Sequence, residues 1–520
     1  MPKKIEIPTV PPEQLSPLVV QLLKTIETLV EENRRQSENI QQLRDEIAVL
    51  KGEKAKPKFT PSKLDQDTDI DDKDDDDKKN GGRRAGSKKR IKTENLRIHN
   101  ECVIQPEEPV PAGSTFKGYR DYVVQDMRIE SYNTRYRLAV WKMPNGNTLS
   151  GKAPEGGHFG EILKSYILYQ YHHCHVTQPL LLEQLREWGV DISTGQIDRI
   201  LSEKEEKFTE EKNALLTTGL EVSGHITVDD SGARHQGKNG YVTHIGNRHF
   251  AWFKSTKSKS RINFLKCLRS EHTDYWLTEE AMLYLTQAKL AQKFLAKLQD
   301  HPIKTFADEK SWDAHLDALG FKSARHRRIA TEAALIGSLL EHGFRQNLVI
   351  VSDDAGQFNV FLHALCWVHA ERLVHKLIPL TDQHRTDIQQ VREKIWALYR
   401  DLKKYQKASS SEQKSELVAR FDAIFTQKTS YETLNQTLKR INSNKQELLL
   451  VLERPDIPLH TNGSETDIRD YVKKRKVSGG TRSDKGRRCR DTFASLKKTC
   501  RKLGISFWDF LKDRILGVNA

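Results

Sequence analysis

A chain of 520 residues exceeds what one compact core usually serves, so several domains are expected. Thirty per cent of the residues are charged and the mean hydropathy is −0.68. No apolar run approaches the roughly 18–20 residues of a membrane span, and Met1-Pro2-Lys3-Lys4-Ile5-Glu6 has no apolar signal core, so membrane insertion and secretion are poorly supported and a cytoplasmic protein is expected. The six cysteines (Cys102, Cys174, Cys267, Cys366, Cys489 and Cys500) have no paired spacing, which suits a reducing compartment and argues against a disulfide scaffold.

The net charge of +14 is unevenly spread. Between Arg469 and Lys502 there are fourteen basic residues against Asp470, Asp484 and Asp491, a local surplus of +11. A surplus concentrated in one stretch points to a polyanionic partner, nucleic acid above all, with a solvated basic tail as the bland alternative.

In chain order, residues 15–51 come first. Leu22, Ile26, Leu29, Asn33, Gln36, Ile40, Leu43, Ile47 and Leu50 alternate by four and three, placing Ile at a and Leu at d with Asn33 at one a position. That pattern predicts a parallel two-stranded coiled coil, hence a homodimer or a higher homo-oligomer, an amphipathic helix packed on its own domain being the alternative. Residues 52–95 follow, with nine carboxylates between Asp65 and Asp77 and then a basic run; like-charge blocks with little to bury predict a disordered linker. Residues 96–157 alternate in strand fashion at 119–124 and 135–141 with a turn at Pro144-Asn145-Gly146, so a small β-rich module is expected.

Residues 158–218 are expected to be helical. Thr177-Gln178-Pro179 opens one helix, Gly189 breaks it and Ser193-Thr194-Gly195-Gln196 opens the next, a helix-turn-helix pattern that turns Gln196 and Arg199 outward as candidate DNA contacts. From residue 219 the texture is α/β. Strands are expected at 225–228, 240–245, 249–253 and 347–352, a helix at 358–377, and helical insertions near 270–345 and 380–452, the whole region running to 475. Residues 476–520 form a basic helical end.

Two of these strands run into acidic pairs, Asp229-Asp230 and Asp353-Asp354. Carboxylates brought to one rim of a sheet repel unless a hard cation neutralises them, and Mg²⁺ takes a few carboxylate oxygens while keeping sites for water and phosphate. Two such ions about 3.5–4 Å apart serve phosphoryl transfer. Asp229 and Asp353, the first acid after each strand, are candidate ligands; Asp230 and Asp354 compete for the same role. A third candidate is Glu465, in the first turn of a helix that Ser464 is expected to cap, followed on one face by Arg469 and Lys473 as phosphate contacts. Lys474, Arg475, Lys476, Arg487 and Arg488 extend that basic stretch.

The stretches Val228-Asp229-Asp230-Ser231-Gly232-Ala233-Arg234, Val351-Ser352-Asp353-Asp354-Ala355-Gly356-Gln357-Phe358 and Asn462-Gly463-Ser464-Glu465-Thr466-Asp467-Ile468-Arg469 resemble the three blocks of a DDE transposase. Together with the amino-terminal zipper and the ending Phe493-Ala494-Ser495-Leu496 to Phe507-Trp508-Asp509-Phe510-Leu511, they are most similar to bacterial transposases of the insertion-sequence 66 family, over about residues 15–515. The resemblance implies a multidomain α/β chain with a ribonuclease-H-like catalytic core split by helical insertions. It makes Asp229, Asp353 and Glu465 the catalytic, metal-binding triad for Mg²⁺ (or Mn²⁺), two ions per site. It also implies double-stranded DNA, transposon ends and target, as the partner, in a bacterial protein that is nucleoid-associated when bound. Leu365-Cys366-Trp367-Val368-His369-Ala370-Glu371-Arg372 resembles a Cys-x-x-His helix motif of such cores, with Cys366 and His369 read as packing or substrate contacts. Relatives often carry a paired-cysteine zinc module before the helix-turn-helix; here Cys102 and His99 remain, which argues against zinc. The expected activity is metal-dependent cleavage at transposon ends and strand transfer into target DNA. Its rivals are a non-catalytic dimeric DNA-binding protein and a structure-specific nuclease.

Overall fold

The computed structural model describes residues 96–111 and 113–517, together with Gln21 and Thr25. The expected coiled coil and linker therefore lie outside the described residues, apart from Gln21 and Thr25, which are helical. Residues 96–135 form one unit and residues 136–517 another.

The first unit contains no helix or strand among its described residues, and it leaves Phe116, Tyr119, Tyr122 and Tyr132 exposed. The expected β-rich module is thereby corrected. At the start of the second unit a hairpin of β1 (Val140–Lys142) and β2 (Thr148–Ser150) is all that forms, and its residues are exposed on both sides. Alternation specifies a strand only where one face has something to bury against.

Four helices come next: α1 (Glu161–His172), α2 (Gln178–Glu187), α3 (Thr194–Ser202) and α4 (Glu205–Val222). Pro179 opens α2 where its missing N–H costs nothing, and Ser193 caps α3 by accepting from the Gln196 N–H at 3.2 Å. Ile197, Ile200 and Leu201 turn inward against Leu181, Leu185 and Ile167.

The central sheet has five strands in the order β5-β4-β3-β8-β9. β3 (His225–His235), β4 (Lys238–Gly246) and β5 (Ala251–Thr256) form an antiparallel meander. β8 (Val349–Ser352) and β9 (Leu362–Leu365) continue the sheet in parallel on the other side of β3. A first helical insertion lies between β5 and β8: α5 (Arg261–Leu268), α6 (Glu279–Gln287), α7 (Gln292–Asp300), α8 (Glu309–Ala318) and α9 (Ala324–Glu341), with a two-residue pair of β6 (Tyr275–Trp276) and β7 (Thr305–Phe306). α9 comes so close to β6 that a Cβ on Gly337 would lie 2.2 Å from the Trp276 carbonyl oxygen, which reserves the position for glycine.

After β9 come α10 (Trp367–His375), α11 (Asp382–Lys407), α12 (Ser411–Phe425), α13 (Glu432–Ser443), α14 (Lys445–Leu448) and a 3₁₀ turn, Leu450–Leu452. Three helices close the chain: α15 (Asn462–Ser478), α16 (Asp484–Lys502) and α17 (Phe507–Leu516). The period-2 pattern sorts the strand residues between layers. Ile226, Val228, Ile245 and Ile350 join the core of the first insertion, Val349, Val351 and Ala364 join that of α10–α14, and Val242, Ala251 and Phe253 pack on Ile468, Tyr471 and Val472 of α15.

The edge strand β5 is protected by side chains of α16. The outward N–H groups of Ala251, Phe253 and Ser255 donate to Thr499 Oγ1 (3.1 Å), Ser495 Oγ (2.9 Å) and Asp491 Oδ2 (2.7 Å). Alternate strand residues are about 6.8 Å apart and helix positions four apart about 6 Å, so one helix face matches one strand edge. An edge so occupied cannot recruit another strand.

Two further expectations change. The helix expected over 358–377 is strand β9 followed by α10, because the short apolar run before Cys366 completes the sheet. β3 does not stop at Asp229; its pairing with β4 continues to His235↔Lys238.

Candidate functional site

β3 and β8 are paired from His225↔Val349 to Thr227↔Val351, and then they part. Two residues beyond that last pair on each strand come Asp229 and Asp353, so both carboxylates enter the fork at the same level. By the pleat Asp229 shares a face with Thr227 and Asp230 shares one with Val228. The pleat thus puts the two acids of the first pair on opposite faces of β3, while Asp353 and Asp354 follow the end of β8.

Asp230 is held by structural bonds: its Oδ1 accepts from Thr243 Oγ1 at 2.6 Å and its Oδ2 from Gln357 Nε2 at 3.0 Å. Asp354 pairs with Arg440 and accepts from Asn444 Nδ2 at 3.3 Å, which ties the loop to α13. The Gly356 carbonyl of the same loop accepts from Arg261 on α5 at 2.6 Å. Both helical insertions thus fix the loop that carries Asp353.

Asp229 and Asp353 make only local contacts, each accepting a backbone N–H, from Asp230 at 2.7 Å and from Ala355 at 3.2 Å. The third acid arrives on α15. Ser464 does not cap this helix, whose cap residue is Thr461; its hydroxyl donates instead to Thr227 Oγ1 at 2.6 Å, and Thr227 donates on to the Gly246 carbonyl at 3.1 Å. Ser464 is fully buried and Thr227 nearly so. This latch sets Glu465, the next residue, beside the face of β3 that carries Asp229.

The charges of the three acids reach one another. Burial, then the Asp353 charge, then that of Glu465 push the Asp229 carboxyl up to about 7, against an opposing bond from the Asp230 N–H. Glu465 faces cations: its Oε1 lies 3.5 Å from His369 Nε2 and 3.8 Å from Arg372, and its Oε2 3.8 Å from Arg469. Cys366, at the head of α10, bonds to His369. Burial raises the thiol's pKa, but this bond and the imidazole charge outweigh it and bring it below the ordinary value; His369 is raised in return, although burial opposes it.

Carboxylates are the right donors for a hard divalent cation. As they stand, no three His, Cys, Asp or Glu side chains among the described residues are gathered closely enough to hold a metal ion. The two findings agree in physical terms, since Coulomb repulsion acts across several ångströms whereas shared coordination needs oxygens within about 2 Å of one ion. Glu465 lies beside His369 and Arg372.

The basic residues divide into outward and inward sets. Gln196 and Arg199 lie on α3, away from the strand fork, with Arg199 exposed and Gln196 half-exposed. Arg469, Lys473 and Lys476 are exposed on α15, and Arg475 and Arg487 are half-buried. Arg488 pairs with Glu205 at 2.9 Å, and Lys474 is buried. Sequence reasoning missed Thr227 and Ser464 as positioning residues. Their small hydroxyls, two residues before one acid and one before another, carry no motif of their own.

A mixed sheet carrying acids at a strand fork, flanked by helical insertions and a basic carboxyl-terminal region, marks a nucleic-acid-processing class of protein. The family model described as "Transposase IS66 family" matches residues 315–488, a stretch that contains Asp353 and Glu465. The uncharacterized protein y4jO of Sinorhizobium fredii (strain NBRC 101917 / NGR234) is 45% identical over 303 residues, 58% of this chain and 94% of that relative. The chain belongs to the IS66 transposase family. Among the described residues no helix is long and apolar enough to cross a membrane.

Proposed function

We propose that this protein is a DNA transposase that cuts phosphodiester bonds at the ends of its element and joins the freed ends to target DNA, on a ribonuclease-H-like core. The observation that carries the reading is the fork between β3 and β8, where Asp229 and Asp353 enter level and the Thr227–Ser464 latch brings Glu465 alongside. These three side chains would hold Mg²⁺ or Mn²⁺ once drawn together around the ion. When bound, the ions neutralise phosphate charge and favour in-line displacement at phosphorus.

In the first step water adds to phosphorus, the P–O3′ bond breaks, and the 3′-oxygen leaves with a proton as a hydroxyl. In the second that hydroxyl adds to a target phosphorus and a target P–O3′ bond breaks, so no external energy source is needed. Asp229 and Asp353 fix the centre from the sheet. Glu465, beside His369 and Arg372, would supply the third carboxylate to the ion. Exposed Arg469, Lys473 and Lys476 hold backbone phosphates next to it, and α3 supplies Gln196 and Arg199 for reading an element end. The heptad pattern read from the sequence between Leu22 and Leu50 would serve to pair two chains so that two ends are processed together.

A second reading is a DNA-binding member of the family without catalysis, which would not need the three acids to meet on one ion. Asp229→Ala separates the two. The enzyme loses Mg²⁺-dependent cleavage of a labelled element end while still binding it, and unchanged cleavage refutes the assignment. Product analysis with target DNA present separates a transposase, which gives joined strands, from a nuclease, which gives cut ends alone.

A further inference from the structure

The edge of α15 opposite Glu465 is also polar, with the opposite sign. Asp467, Tyr471 and Lys474 follow at i, i+4 and i+7 and line a pocket of about 20 Å³ with residues of α16 and of the end of α1. Its two acids are already engaged. Asp467 is 2.7 Å from Lys502 and 3.1 Å from His244, and Asp470 is 3.4 Å from Lys498, 3.5 Å from Lys473 and 3.8 Å from Lys497.

Two cations on the same pocket have no carboxylate within 4 Å among the described residues. Lys474, 6% exposed, donates to the Tyr171 carbonyl at 2.6 Å and lies over the Tyr171 ring at 3.6 Å. Arg490 donates to Ser478 Oγ at 2.7 Å and to the Gly480 carbonyl at 3.4 Å. His172, 8% exposed, stacks on Phe493 with ring centres 4.0 Å apart, and its buried Nε2 has no hydrogen-bond partner. The buried Nδ1 of His175 has none either.

Positive charge is thus gathered and partly desolvated beyond what the local acids balance. Burial, then Arg490 and Lys497, bring the Lys474 ammonium down to about 7; burial, then Lys474 and Lys497, hold His172 well below its ordinary value. Gathering like charges without enough carboxylates to balance them costs stability.

We infer that this pocket is an anion site that takes an oxygen of one phosphate group, with Lys474, Arg490 and Lys497 as charged donors and the neutral His172 ring as a further, uncharged one. About 20 Å³ is room for a water or a phosphate oxygen and excludes a base or a sugar, so a phosphate enters by its oxygens. The phosphate belongs either to a DNA backbone or to a free species. The first source rests on the transposase reading, whereas the phosphate chemistry does not.

The test uses the full chain, inorganic phosphate and a DNA duplex. Phosphate, compared with chloride at equal ionic strength, raises the thermal midpoint of the wild type. Lys474→Met and, independently, Lys497→Met abolish that response, and Lys485→Met, exposed on α16 away from the pocket lining, keeps it. If the occupant is a DNA phosphate, Lys474→Met also lowers the slope of log affinity against log salt by about one. An unchanged slope with the phosphate response lost assigns the pocket to a free phosphate species. A wild type that responds no more to phosphate than to chloride, with the slope unchanged in Lys474→Met, overturns the inference. Loss of cleavage in Asp229→Ala bears on the catalytic reading alone.

Discussion

Helix α15 carries a negative cluster along one edge and a positive one along the other. At the first edge Glu465 joins Asp229 and Asp353, with local backbone N–H groups and a few cations at 3.5–3.8 Å as the balance. At the other, Lys474 and Arg490 border a pocket whose acids are already taken. Some buried charges elsewhere in the protein are matched, as where fully buried Glu371 meets Arg392 at 2.5 Å. An unmatched buried charge lowers the stability of the free protein and raises it when a counter-ion arrives. On the proposed readings the difference between the two edges is one of ligand sign, a cation for the first and a phosphate for the second.

The comparison breaks most visibly at Asp229. Asp229→Asn is expected to lower Mg²⁺-dependent cleavage by about 10³-fold or more, a loss of about 4 kcal/mol of transition-state stabilisation. In a chelator the same substitution stabilises the fold. The folded carboxyl titrates at about 7 and the unfolded one near about 3.9, so the folded state holds the extra proton between these values. Stability from this group is full below the lower value and falls as pH rises toward 7. Lys474 has the reverse slope. Its folded value of about 7 lies under an unfolded one of about 10.4, so stability rises with pH between them. Urea midpoints in chelator from pH 5 to 10 check both: Asp229→Asn removes the fall and Lys474→Met removes the rise.

Divalent cations sharpen the contrast with a smaller expected effect. Mg²⁺ or Mn²⁺ raises the thermal midpoint of the wild type, chelation reverses the rise, and Asp353→Asn or Glu465→Gln abolishes it. Lys474→Met leaves it intact. A cation response that survives loss of two of the three acids removes the fork as the metal site.

Much of the fork was legible in the sequence, because an apolar run such as Leu348-Val349-Ile350-Val351 ending in acids leaves few alternatives. What stayed hidden depended on partners far along the chain. That Asp229 rather than Asp230 faces α15 follows from pairing with β8, more than a hundred residues later, and from Ser464, 237 residues beyond Thr227. The residues before Cys366 have the apolar length of either a short helix or a strand, and the open edge of β8 decides for β9. The basic surplus after Arg469 gave the sign of the region but not its direction: Lys474, Lys497 and Lys498 point inward, toward tertiary neighbours that composition does not encode. The strand-like alternation at 119–124 lacked any surface to settle on.

The Thr227–Ser464 bond probes geometry rather than charge. Thr227→Val keeps the shape of the side chain and breaks the link between β3 and α15, and Ser464→Ala breaks it from the other side. Each is expected to lower kcat for cleavage by about 10–100-fold with little change in end binding, since a misplacement of about 1 Å costs roughly that much. Thr227→Ser restores the hydroxyl and most of the rate.

The smallest effect is expected at Asp354. Its pairing with Arg440 is partly exposed, so Asp354→Asn removes about 1 kcal/mol or less of stability. The Asn444 bond still tethers the loop from one side and the Gly356–Arg261 bond from the other. Cleavage should fall by less than about fivefold, equal to about 1 kcal/mol. If Asp354→Asn instead matched Asp229→Asn, the pleat argument that sends one acid of each pair to the fork and the other to structure would fail at β8. Asp230→Asn supplies the same comparison at β3, where Thr243 and Gln357 hold the side chain on the opposite face.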